Sequence, residues 1–203
     1  LYIRANASWG MYAAYGDYAS MMQLVEELIC DAAKALLGTL TFEFKGQAID
    51  LAPPWERVSF AKTMEGLGLT PSSPLEDIQG ALQKHGMQVK GLTRSQMVRL
   101  VEQLFEPKTK AKPLFVTDYW TELSPLAKAT PENPDITERF ELYIGGMEVA
   151  NAYSELNDPV EQRARFEAQL KGKTDKFIDE SFVEALEYGM PPAGGLGVGV
   201  DRL

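Results

Sequence analysis

Gly145-Gly146 separates two stretches of alternating side chains, residues 141–144 and 147–149. A two-glycine step of this kind closes an antiparallel hairpin, so at least part of the chain must be antiparallel sheet. Pairing across the turn sets Ile144 against Met147, Tyr143 against Glu148 and Leu142 against Val149. Side chains alternate with period two. Leu142, Ile144, Met147 and Val149 therefore share a core face, and Glu141, Tyr143, Glu148 and Ala150 share the other. Glu141 and Glu148 become diagonal neighbours, about 7–8 Å apart. Two carboxylates so placed repel unless a cation lies between them, and such oxygen ligands suit Mg²⁺ carrying substrate phosphates. Past Glu148 the parity fails, because Asn151, Tyr153 and Glu155 would fall on the core face of a flat strand. A β-bulge near Ala150, between Glu148 and Tyr153, would turn all three onto the ligand face. The plainer alternative is a solvated sheet edge with surface acids.

The rest of the chain reads as flanking helices and further strands, an α+β chain. Residues 17–38 repeat Met21, Leu24, Val25, Leu28, Ile29 and Ala32 at helical spacing, with an Asp or a Ser to cap the start and Gly38 to stop it. Residues 40–51 form a hairpin around Lys45-Gly46, and Pro53-Pro54 leads into a short helix. From about residue 70 to 107 come two amphipathic helices, one after Ser73-Pro74 and one after Thr93. They read as a separate helical insertion that carries none of the pocket. "PLFVTDYW" returns to strand, and Asp158-Pro159 opens another helix.

Charge and composition narrow the function classes. A net charge of −9 disfavours a broad nucleic-acid-binding surface, leaving room for a local basic patch. No apolar run approaches the ~20 residues that span a bilayer, and the sequence does not open with a signal peptide. Cys30 is the lone cysteine and lies in an apolar helical pattern, so it reads as core filler in a reducing compartment. His85, the single histidine, sits at a helix end among polar neighbours. Histidine-based catalysis and His-rich metal sites are therefore not expected.

In "GGLGVGVDRL", Gly195, Gly197 and Gly199 alternate strictly along one face of a strand. A strand face without side chains lets a flat group lie against its backbone. Arg202, just beyond, can stack on that group or neutralise phosphate. The βαβ context of a Rossmann fingerprint is missing.

The glycine strand with Arg202 resembles motif 3 of the class II aminoacyl-tRNA synthetases. "RFELYIGGMEVANAYSELNDPVEQRARFEAQ", "ELSPLAK" and "FIDESFVEALEYGMPP" resemble the catalytic domain of the lysyl-tRNA synthetases, and "YAAYGDYASMMQLVEELI" resembles the segment after motif 2. The similarity covers nearly the whole chain from Tyr12 onward. It implies a class II antiparallel sheet flanked by helices that activates lysine with ATP and passes it to tRNA(Lys). It also implies that Glu141 and Glu148 hold Mg²⁺ at the ATP phosphates, with Gly195, Gly197, Gly199 and Arg202 along the nucleotide. Tyr12, Asn151, Tyr153 and Glu155 would form the lysine pocket, with Glu155 on the ε-ammonium. A cytoplasmic or organellar homodimer is the implied setting.

The sequence departs from the family pattern in several places. Motif 1 and the N-terminal anticodon-binding domain have no counterpart, so residues 1–203 read as a partial catalytic domain of a longer protein. Gly10 stands where a motif 2 glutamate is expected, and Arg4 is the candidate for the motif 2 arginine. A non-catalytic paralogue serving as a structural or regulatory subunit is the alternative function. A synthetase-like enzyme that attaches a lysine derivative to a protein is a third, opposed by the lysyl form of "SELNDP" and "SPLAK". Unaltered Glu141, Glu148, Asn151, Glu155 and Arg202 favour the enzyme, since a dead paralogue has no physical reason to keep desolvated acids unpaired.

Overall fold

The computed structural model describes residues 8–105, 111–170 and 177–203. At its centre lies a six-stranded sheet in the order β1 (Ser8–Ala14), β8 (Ala193–Gly199), β7 (Met147–Ser154), β6 (Arg139–Ile144), β5 (Leu114–Thr117) and β4 (Glu56–Ser59). All neighbours run antiparallel except β4 and β5, which are parallel. The sheet is thus antiparallel as expected, with one parallel pair at its edge. Strand β4 is four residues long and opens on exposed Glu56 and Arg57, so no alternation in the sequence announces it. The expected small hairpin is present as β2 (Thr41–Phe44) and β3 (Gln47–Asp50), a separate two-stranded sheet.

Helix α1 (Tyr18–Leu37) covers one face of the sheet. Asp17 and Ser20 cap it reciprocally: the Ser20 N–H donates to Asp17 Oδ1 at 2.8 Å, and the Asp17 N–H donates to Ser20 Oγ at 2.9 Å. Gly38 ends it in the left-handed region at φ 70°. Met21, Met22, Val25, Ile29, Cys30 and Ala33 pack against Phe140, Leu142, Ala152, Leu196 and Val198 of the strands. Leu28 and Ala32, expected in this core, are exposed. The helix presents the stripe through Met22, Ile29 and Ala33 instead. Cys30 is buried as expected, with Sγ 3.4 Å from the Leu51 carbonyl.

The start of α1 lies almost on β8. A Cβ added to Gly194 would fall 2.8 Å from the Asp17 carbonyl oxygen and 3.0 Å from Met21 Cγ. Backbone there cannot swing aside as a side chain can. Gly194→Ala should therefore destabilise the fold by about 1–3 kcal/mol, read as a lower denaturation midpoint. A midpoint equal to that of the parent would contradict this packing.

Helices α2 (Phe60–Glu65), α3 (Leu75–Lys84) and α4 (Arg94–Val101) close the other end of the sheet. Thr93 caps α4 in a box with Gln96. Ile78, Leu82, Met97, Val98 and Val101 share one core with Phe60, Leu114, Val116, Tyr119 and Trp120. The segment expected as a separate insertion is thus seated on the sheet, its residues 106–107 lying outside the described residues. Helices of ten and eight residues are too short to stand alone and bury their apolar stripes on the sheet. Exposed His85 ends α3.

Helix α5 (Pro159–Leu170) starts where Asp158 Oδ1 accepts the Val160 and Glu161 N–H groups, and α6 (Glu180–Glu187) lies beside it. Among the described residues no helix is long and apolar enough to cross a membrane.

Candidate active site

The polar floor depends on one extra residue in β7. Ile144 pairs with Met147 and Tyr143 with Glu148, but Leu142 then pairs with Ala150 and Glu141 with Asn151. Val149 is therefore the bulge, and it lies in the interval the sequence suggested. Val149 and Ala150 both enter the core on the α1 side, at 2% and 3% exposure. Ala150 was expected on the ligand face, and the bulge is the reason it is not there. Beyond it, Asn151, Tyr153 and Glu155 line one pocket, as the parity argument required.

That pocket, of about 270 Å³, is walled by Gly10, Tyr12, Asn151, Tyr153, Glu155 and the backbone of β8 from Gly195 to Gly197. Among the described residues no hydrogen bond or ion pair reaches the Glu155 carboxylate. Burial alone pushes its pKa up to about 7. Burial, then the neighbouring Glu155 and Tyr12, pushes the Tyr153 hydroxyl up to about 12, so it stays protonated and can donate. A Cβ on Gly195 would sit 1.9 Å from Glu155 Oε1 and 3.1 Å from Tyr12 Cε1. The bare backbone at Gly195 is therefore what admits Glu155 to the pocket.

A second pocket of about 280 Å³ adjoins the first through Asn151 and Gly197, and adds Ser8, Glu148, Gly199 and Arg202. A Cβ on Gly197 would meet nothing nearer than the Asn151 carbonyl oxygen at 3.7 Å, so this stretch is open floor. Arg202 lies just past β8. Its Nη1 donates to the Glu148 carbonyl at 2.8 Å and is 3.6 Å from Glu148 Oε2. Burial and the charge of Glu141 raise the Glu148 pKa, and Arg202 opposes them.

Glu141 is buried, and each of its oxygens has a partner. Its Oε1 pairs with Arg139, and its Oε2 accepts the hydroxyls of Tyr119 at 2.8 Å and Tyr143 at 2.7 Å. Burial, then Glu141, holds the Tyr119 hydroxyl well above its usual range and raises Tyr143 as well. Arg139 also reaches Glu102, on the turn after α4, at 3.6 Å. Phe105 lies against Tyr143 with ring centroids 6.4 Å apart. The helical segment thus places Glu102 and Phe105 behind Glu141, and, as expected, none of its described residues lines either pocket.

This arrangement corrects two expectations. The repulsion between Glu141 and Glu148 is opposed within the protein, because Arg139 and Arg202 supply cations. Pairing of these two acids also removes them as arguments against a dead paralogue, whereas unpaired Glu155 keeps its force. Arg139, Tyr119 and Glu102 escaped the reading of the sequence, although a basic residue two positions before Glu141 on the same strand face was a usable signal. Arg4 lies outside the described residues. Among the described residues no cluster of three or more His, Cys, Asp or Glu could hold a metal by itself. Two glutamates suit a Mg²⁺ that arrives with phosphates, and Glu148 is the one that lines a pocket.

Residues 7–203 match the family model described as tRNA synthetases class II (D, K and N). The chain is 45% identical to a lysine–tRNA ligase of Carboxydothermus hydrogenoformans, over 95% of this chain and 41% of that protein. It is 44% identical to the lysine–tRNA ligase of Pelotomaculum thermopropionicum and 43% identical to that of Bacillus subtilis, in each case over 95% of this chain and 40% of the relative. The chain thus spans about two fifths of the length of these curated relatives.

Proposed function

The chain belongs to the class II tRNA synthetases (D, K and N), and from that premise we propose that its polar sheet floor activates lysine with ATP for transfer to tRNA(Lys). One observation carries the choice of lysine. Glu155 is a carboxylate with no partner among the described residues, held in a pocket beside Tyr12 and Tyr153. An ε-ammonium is the group that turns this costly placement into a charge-assisted hydrogen bond.

The chemistry asked of the protein is alignment and charge neutralisation. A lysine carboxylate oxygen attacks the α-phosphorus of ATP, the bond to the bridging oxygen breaks, and pyrophosphate leaves. No group need take or give a proton in that step. Arg202 neutralises charge on the phosphates after leaving Glu148, and Arg4 is the proposed second arginine. Glu148 and Glu141 would hold Mg²⁺, which supplies further positive charge to the phosphates. Asn151 accepts from Arg139 Nε through its Oδ1 at 3.3 Å, which leaves the Asn151 amide N–H groups free to donate to lysine. The bare strand at Gly197 and Gly199 gives the nucleotide a flat surface. A cytoplasmic homodimer is the setting this reading implies.

The non-catalytic reading gains from the internal pairing of Glu141 and Glu148, and Glu155 opposes it. Exchange of labelled pyrophosphate into ATP by the intact protein tests the two against each other. The proposal expects exchange that requires lysine. Exchange that is absent, or indifferent to lysine, favours the non-catalytic subunit.

A further inference from the structure

Arg139 enters the chemistry above only through Asn151, yet it is the best-connected side chain near the site. It is 8% exposed. Its Nη2 pairs with Glu141, and its Nε donates to Asn151 Oδ1 at 3.3 Å. Its Nη1 donates to Ser124 Oγ at 3.0 Å and faces Glu102 Oε1 at 3.6 Å. The guanidinium lies 4.4 Å above the Tyr119 ring. One rigid fork therefore fixes a residue of the pocket that holds Glu155 and the acid behind the pocket that holds Arg202.

The charge count around this fork matters. With Glu141 as its only partner, Arg139 would form a neutral pair, and a cation placed at Glu141 would face an unbalanced guanidinium. Glu102 supplies a second carboxylate. It comes from the helical segment and is held in place by Phe105, whose ring lies 6.4 Å from both Phe60 and Tyr143.

We propose that Arg139 is a positioning residue that sets Glu141 and Asn151 together, and that Glu102 is the counter-charge that frees Glu141 to accept a cation. The helical segment is thereby coupled to ATP use through one ion pair. This rests on the reading of Glu141 and Glu148 as the ATP-side acids.

Glu102→Gln tests it, because that side chain is 35% exposed and the amide keeps its shape, so the variant should fold. Binding of Mn²⁺ in the presence of ATP, followed by electron paramagnetic resonance, should weaken about five- to tenfold, the effect of one partly exposed charge. The kcat for pyrophosphate exchange should fall alongside it, with the lysine KM and the Tm unchanged. A merely structural role would lower the Tm and move both substrates' KM together. Arg139→Lys provides the second test, since an ammonium cannot span Glu141, Asn151 and Glu102 at once. In that background Glu102→Gln should add nothing. Unchanged Mn²⁺ binding in Glu102→Gln overturns the proposal, as does an equal loss in the Arg139→Lys background. A parent that takes up no Mn²⁺ with ATP overturns it too. If the parent binds Mn²⁺ and ATP but shows no lysine-dependent exchange, the functional reading fails and the relay still stands or falls on the Mn²⁺ comparison.

Discussion

Glu155→Gln should weaken lysine binding by about two to three orders of magnitude while ATP affinity stays within about threefold of the parent. The substitution keeps the shape of the side chain and removes the charge, leaving the ε-ammonium without its partner in a half-buried pocket. Breaking one half of such a pair costs about 3–5 kcal/mol. Titration calorimetry with lysine and with norleucine reads it directly: the parent should prefer lysine strongly, and the variant should lose most of that preference. Equal lysine affinity in parent and variant would show that the pocket has been misassigned.

The same carboxylate sets a pH dependence. Its pKa of about 7 in the free protein lies above its ordinary 4.5. As pH falls below about 7, Glu155 gains a proton and lysine affinity should drop, approaching tenfold per pH unit, whereas the Gln variant should show no such slope. Fold stability runs the other way. A carboxyl whose pKa is raised on folding contributes stability that is fully present below 4.5 and is lost as pH rises to about 7. Glu155→Gln should therefore leave the ligand-free protein more stable than the parent above pH 7.

Gly195→Ala should abolish measurable lysine binding with little loss of stability. The new methyl would stand 1.9 Å from Glu155 Oε1 and 3.1 Å from Tyr12 Cε1. Both are side-chain ends that can move, and Tyr12 is already largely exposed. The fold survives, but Glu155 is expelled from the pocket, so lysine affinity should fall at least as far as in Glu155→Gln, by about 100-fold or more. Gly194→Ala, one position earlier, meets backbone and should show the reverse pattern of lost stability. A Gly195→Ala protein that binds lysine normally would contradict the cradle.

What the sequence made legible was local and periodic. The Gly145-Gly146 turn, the glycine alternation of β8 and the caps at Asp17 and Thr93 each follow from a few adjacent residues. The bulge was legible for a different reason, since Asn151 and Glu155 at core parity are too costly to leave there. The charge balance was not legible. Tyr119 reaches Glu141 from 22 residues away, and Glu102 reaches Arg139 from a helix that pattern alone set apart. Pairing of that kind depends on how distant segments pack, and no spacing encodes it. The parallel placement of β4 was hidden for the same reason, and so was the rotation of α1 that exposes Leu28.

The central claim is that this floor holds lysine by its ε-ammonium beside the nucleotide. A crystal structure of the intact protein with lysine and a non-hydrolysable ATP analogue tests it most directly. The account predicts the ε-ammonium about 2.7–2.9 Å from the Glu155 carboxylate, with Arg202 turned from Glu148 to the phosphates. Lysine bound elsewhere, or seated with its ε-ammonium away from Glu155, would contradict it.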